Sequence, residues 1–227
     1  MAKRISHSLL DPFLMPPIKG MYKHLRIPDS FPPEGIIAIG HVLAIIGAVG
    51  FAFSTTRWWG GILVAIGVAG NHTADCLDGT HARTTGQCRN GGELLDHFAD
   101  PLSFSYWLFG IAIGVANPTM GMAAIICLYA TAVLTNIKAK MVDEFTLASF
   151  GPTEFKTLLS VMGLVLSVMT LQGKTGSATT LLFWFFAILL TVGIFQLIIG
   201  LYQAVVEVNQ TEATDKAEWD IRKADQS

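Results

Sequence analysis

Six long apolar stretches, separated by short polar breaks, run through this chain over residues 35–53, 59–77, 94–116, 118–141, 155–172 and 179–206. Each is long enough, at about 1.5 Å of rise per residue, to carry an α-helix across a hydrocarbon core about 30 Å thick. Asn117-Pro118 predicts a tight turn between the third and fourth spans, and Gly173 with Gly176 opens another between the fifth and sixth. Ahead of the spans, Lys3, Arg4, Lys19, Lys23 and Arg26 are interleaved with Leu9, Leu10, Phe13, Leu14, Ile18, Met21 and Tyr22. An apolar stripe beside basic residues predicts a helix lying in the membrane surface, interrupted near Pro16-Pro17. The expected fold is an all-α integral membrane protein with six transmembrane helices plus an N-terminal amphipathic interfacial helix. Its expected parts are an interfacial segment over 1–32, a six-helix membrane domain over 33–208 and a polar cytoplasmic tail over 209–227.

Composition strengthens the membrane reading. Of 227 residues, 52% are hydrophobic and only 14% charged, with a mean hydropathy of +0.50. Soluble domains carry about 25% charged residues. The net charge of −2 says little, because its distribution matters more. With the N-terminus inside, thirteen of the fifteen lysines and arginines fall on one side, leaving only Arg57 and Lys174 outside. The excess of basic residues on cytoplasmic loops then puts both termini and residues 75–100 in the cytoplasm. Cys76, Cys88 and Cys127 form no CxxC pair and read as reduced packing residues. No nucleic-acid partner is expected.

Between the second and third spans lies a concentration of acids. Asp75 and Asp78 are three residues apart, and Asp96 and Asp100 are four apart. On helices each pair projects from one face, one turn apart. Carboxylates that close repel unless a cation sits among them. A hard divalent ion suits oxygen ligands, with Mg2+ (or Mn2+) preferred where phosphates complete the shell. Gly79 lets the backbone approach a ligand closely, and Arg83 can donate two parallel hydrogen bonds to phosphate oxygens.

Read in full, the stretch Asp75-x2-Asp78-Gly79-x2-Ala82-Arg83-x8-Gly92-x3-Asp96-x3-Asp100 resembles the signature of the CDP-alcohol phosphotransferases at every fixed position. These are integral membrane enzymes of phospholipid synthesis. The resemblance implies that an acceptor hydroxyl attacks the phosphorus bearing the donor's alcohol and that CMP leaves. It implies Asp75, Asp78, Asp96 and Asp100 as ligands of a two-ion cluster. Gly79, Ala82, Arg83 and Gly92 would then shape the nucleotide site, with Arg83 on the pyrophosphate. The partners implied are a CDP-alcohol donor, a lipid or alcohol acceptor, membrane lipids and a second copy of the chain in a homodimer.

A finer likeness concerns the branch. Gly92-Glu93-Leu94-Leu95-Asp96-His97 and Gly151-Pro152-Thr153-Glu154, with Asp143-Glu144 before it, are similar to runs in choline and ethanolamine phosphotransferases. That branch implicates a histidine beside the third aspartate and a later glutamate, matched here by His97 and Glu154, in deprotonating diacylglycerol. Histidine suits the task because its ordinary pKa lies near neutrality. In enzymes that use CDP-diacylglycerol with a small polar acceptor (inositol, inositol phosphate, glycerol phosphate or serine), the fourth aspartate, here Asp100, is the base. The two assignments compete, and so do the two donors; CDP-choline or CDP-ethanolamine is the preferred reading. The likeness fails where the first span opens, since Glu34 and Ile37 replace the family's asparagine and threonine. His41 is then either a polar group on the cavity wall or a bond to a neighbouring helix. Lys138 and Lys140 either meet a phosphate or snorkel to the interface. A divalent-cation transporter is the rival of another class, since intramembrane acids also line ion paths.

Overall fold

A computed structural model describes residues 3–5, 9–142, 144–146 and 151–224, with side chains for all of these except 3–5, 93, 144–146 and 211–224. Asp143 lies outside the described residues, as do the side chains of Lys3, Arg4, Glu93, Glu144, Lys216, Arg222 and Lys223. The described residues form seven helices: α1 (Asp11–Leu25), α2 (Pro33–Phe53), α3 (Trp58–Thr85), α4 (Asn90–Gly114), α5 (Pro118–Val142), α6 (Pro152–Leu171) and α7 (Thr175–Ala224). Two three-residue strands, β1 (Lys3–Ile5) and β2 (Glu144–Thr146), pair in parallel.

Local chemistry sets the helix ends. Proline opens α2, α5 and α6, where the missing N–H costs nothing because the first turn has no intrahelical acceptor for it. Glu154, in the first turn of α6, accepts a hydrogen bond from the Gly151 N–H at 3.0 Å and so ties down the residue before the helix. Gly86 stops α3 in the left-handed region, at φ 70°, while Gln87 N–H donates back to the Ala82 carbonyl at 2.9 Å.

Among the described residues four helical segments, Pro33–Phe53, Pro118–Val142, Pro152–Leu171 and Thr175–Gln210, are long and apolar enough to cross a membrane. The protein is an integral membrane protein, and large apolar side chains such as Val133, Leu164, Ile188 and Phe195 are more than half exposed along these helices. α3 and α4 have comparable length, 28 and 25 residues, but carry the acid pairs inside them. This differs from the expected layout, in which the motif links two spans. Asp75, Asp78 and Arg83 are residues of α3 itself, and only residues 86–89 join it to α4. The polar tail continues α7 as helix to Ala224.

α3 is the central post, packed against α1, α2 and α6, while α2 also packs on α4 and α5 bridges α4 and α7. Small residues permit these close crossings, which in lipid must be held by packing rather than by water exclusion. A Cβ on Gly61 would meet the Ser167 backbone nitrogen of α6 at 2.6 Å, so the α3–α6 crossing requires glycine there. The core is built around Phe51, Val64, Val68, Trp107, Leu159, Leu166 and Phe186, all fully buried. Trp107 is thus a core residue, its indole N–H donating to the Ala44 carbonyl at 2.9 Å, whereas Trp58, Trp59 and Trp184 are exposed.

Candidate functional site

The two acid pairs meet. A crevice of about 20 Å³ is lined by Ile37, Gly40 and His41 of α2, Asn71, Asp75 and Asp78 of α3, and Asp96, Ala99, Asp100 and Ser103 of α4. Helical periodicity puts Asn71, Asp75 and Asp78 on one face of α3, and Asp96, Asp100 and Ser103 on one face of α4. Facing helices therefore supply the four carboxylates that the motif's spacing pairs in the sequence.

A cation sits among them that, in the sequence, is one of the thirteen basic residues assigned to the cytoplasmic side. Lys156, near the start of α6, is 1% exposed, and its Nζ lies 2.8 Å from Asp75 Oδ2 and 3.0 Å from Asp100 Oδ1. Its ammonium also lies 5.6 Å from the centroid of the Phe104 ring. Charge-assisted bonds of this length hold α3, α4 and α6 together at the site. The missed signal was a lysine four residues inside an apolar helix, where an unpaired charge is costly enough to demand a partner.

The crevice has more acceptors than donors. One ammonium offsets one of the four carboxylates, and Asn71 adds a buried amide oxygen without a hydrogen-bond partner. The Asn71 amide nitrogen donates to the Gly40 carbonyl at 3.0 Å, which fixes the orientation of that oxygen. Such a surplus of hard oxygen atoms fits a divalent cation. Among the described residues no three acidic, histidine or cysteine side chains are gathered closely enough to form a ready coordination sphere. Charge and donor type fit the ion, while the spacing is that of a cluster held by Lys156.

The other expected site residues are distributed around this crevice. Arg83 is exposed on α3, and its guanidinium lies over Gly79, where an added Cβ would come within 3.2 Å of it. Ala82 is half-buried beside it, and Gly92 is half-buried near Glu34. Glu34 pairs with Arg89 at 2.9 Å and ties the start of α2 to the α3–α4 link. His97 is exposed on α4, immediately after Asp96. His41 lines the crevice and also bonds Tyr106 of α4 at 3.1 Å. Lys138 pairs with Glu207 of α7 at 2.6 Å.

Glu154 is bound to backbone: besides Gly151, its carboxylate accepts from the Leu9 and Leu10 N–H groups at 2.8 and 3.2 Å. Thr153 adds a bond to Asp11 at 2.6 Å, so the start of α6 is clamped to the start of α1. The other end of α1 is pinned through a residue that sequence reading passed over. His81, fully buried inside the motif, bonds the Tyr22 hydroxyl through Nδ1 at 2.7 Å and the Phe31 carbonyl through Nε2 at 2.8 Å. Since a carbonyl only accepts, Nε2 carries the proton and Nδ1 accepts from Tyr22. The N-terminal segment is thereby fastened to both α3 and α6 around the acid cluster.

The chain is similar in sequence to known proteins. The chain is 32% identical over 112 residues to phosphatidylinositol phosphate synthase of Mycolicibacterium smegmatis, covering 48% of this chain and 49% of that protein. It is 27% identical over 195 residues to cholinephosphotransferase 1 of Bos taurus, covering 73% of this chain and 48% of that protein. The mouse cholinephosphotransferase 1 matches at 26% identity over 178 residues, 66% of this chain and 45% of that protein. The chain thus spans about half the length of each of these relatives. Residues 34–208, from the start of α2 into the second half of α7, match the model of the CDP-alcohol phosphatidyltransferase family, and the chain belongs to that family of transferases of substituted phosphate groups.

Proposed function

We propose that this protein transfers a phospho-alcohol from a CDP-alcohol to the hydroxyl of a lipid acceptor and releases CMP, with CDP-choline or CDP-ethanolamine as donor and diacylglycerol as acceptor. The single observation that carries this reading is the meeting of Asp75, Asp78, Asp96 and Asp100 in one crevice between α3 and α4. In the proposed reaction the acceptor oxygen forms a bond to the phosphorus that carries the donor's alcohol. The bond from that phosphorus to the oxygen of CMP breaks, and the acceptor's proton passes to the protein.

The four aspartates would hold one or two divalent ions, which when bound neutralise phosphate oxygens and stabilise the attacking and leaving oxygens. Arg83 binds the pyrophosphate, supported by its exposure at the end of α3 beside Gly79. His97 takes the proton. The backbone bonds of Glu154 support a positioning role, in which it holds the start of α6 and thus Lys156 in place. In the same proposal α3 and α4 are the two further spans, the protein is a homodimer, and the site faces the cytoplasm. The orientation is supported by the basic residues, since thirteen less the buried Lys156 still leaves twelve of fifteen on one side.

The longer alignments to cholinephosphotransferase 1 support the preferred donor. The similarity to phosphatidylinositol phosphate synthase favours a second reading, with CDP-diacylglycerol as donor, a small polar alcohol as acceptor and Asp100 as base. Purified protein incubated with CDP-choline, CDP-ethanolamine and CDP-diacylglycerol in turn, each with its acceptor, separates the two. Product from CDP-choline or CDP-ethanolamine with diacylglycerol is the expected result; product from CDP-diacylglycerol alone overturns the preferred donor.

A further inference from the structure

We propose that Lys156 is a resident counter-cation of the acid cluster, joining Asp75 and Asp100 in the metal-free protein and competing with a divalent ion for the same carboxylate oxygens. This inference rests on the aspartates being cation ligands. Three observations carry it. The ammonium is almost fully buried and lies within 3.0 Å of an oxygen from each of two helices, so it occupies positions that a bound ion would need. It arrives from a third helix, α6, whose first turn is clamped by the Glu154 and Thr153 bonds to the N-terminal segment. The crevice that remains, about 20 Å³, has room for roughly one water-sized species.

The consequence is a site with two occupancies of its charge. Without metal, Lys156 limits the repulsion among four carboxylates and keeps α3, α4 and α6 together. Binding of divalent ions with a nucleotide diphosphate requires the ammonium to yield the Asp75 and Asp100 oxygens, or to move towards a phosphate. Lys156 therefore weakens the binding of cations to the empty protein, and much of this competition is relieved once a phosphate-bearing donor is present. A positive charge about 3 Å from two ligand oxygens acts at short range inside a low-dielectric site, where screening by salt is weak.

The test uses full-length protein in detergent, stripped with EDTA and titrated with Mn2+ in the absence of nucleotide. Free Mn2+ is read by electron paramagnetic resonance for wild type, K156M, K156Q and D78N, and thermal unfolding is followed with EDTA and with saturating Mn2+. The expected result is that K156M and K156Q bind Mn2+ at least tenfold more tightly than wild type. They also melt lower in EDTA and gain more from Mn2+ than wild type does. Equal Mn2+ affinity in wild type and both lysine variants, with D78N weakened, overturns the counter-cation and leaves the ligand reading standing. Absence of Mn2+ binding in every protein overturns the ligand reading and this inference with it. If both lysine variants fail to fold in EDTA, Mn2+ should restore them; failure to do so also overturns the proposal, because an added cation would not then replace the missing charge.

Discussion

Replacing His81 with phenylalanine isolates the fastening of the N-terminal segment from the chemistry of the aspartates. The ring keeps most of the volume of a side chain that is fully buried, so the change removes hydrogen bonds more than packing. Two bonds are lost, from the Tyr22 hydroxyl at 2.7 Å and to the Phe31 carbonyl at 2.8 Å. The Phe31 carbonyl keeps a second donor, Gln87 Nε2 at 3.3 Å, and is not orphaned. At roughly 1 kcal/mol for each bond, the loss is about 2 kcal/mol. For a chain of this size that corresponds to a fall of about 4–8 °C in melting temperature. Y22F should cost about half as much, and the double variant should cost little more than H81F alone, because one bond is shared. Thermal unfolding of the four proteins in one detergent measures this cycle. An unchanged melting temperature in H81F, or full additivity with Y22F, would refute the idea that His81 fastens α1 to α3.

Other substitutions address the chemistry and the packing. D78N should abolish turnover and weaken the dependence of rate on added metal, as read by CMP release against Mg2+ concentration; a wild-type rate would remove Asp78 from the ligand set. H97A should retain donor binding while the transfer rate falls by a factor of about 10² or more, as for loss of a general base. An unchanged rate in single-turnover assays would move that role to Asp100. G61L should force α3 from α6, where a Cβ already meets Ser167, and cost about 1–3 kcal/mol in thermal unfolding. G176L, at an exposed position where an added Cβ would meet nothing within 4 Å, is the control expected to change little, and equal losses would refute the crossing as the cause.

The sequence exposes the features whose physics is local. Apolar runs ended by proline and glycine mark the helices, and i,i+3 and i,i+4 spacing marks which aspartates share a face. That Asp75 and Asp78 continue a helix to Gly86 is harder to read, because acids between apolar runs resemble a loop until their partners are known. Lys156 shows the same difficulty more sharply. Its partners stand 81 and 56 positions earlier in the chain, and near the end of an apolar run a paired lysine and a snorkelling one look alike. Glu154 matches a branch motif by type, yet its carboxylate accepts from backbone N–H groups of residues 9, 10 and 151, which no side-chain pattern announces. The sequence alone leaves Trp107 open between an interface anchor and a packing residue, and its burial on α4 against α2 makes it core.

The central claim, that paired carboxylates on facing helices grip a nucleotide diphosphate through divalent ions, is tested most directly by CMP release from purified protein with a CDP-alcohol and its acceptor. The account predicts CMP release with Mg2+ or Mn2+, its loss in EDTA and its return when metal is restored. Release undiminished in EDTA, or no release from any CDP-alcohol with metal present, would contradict it.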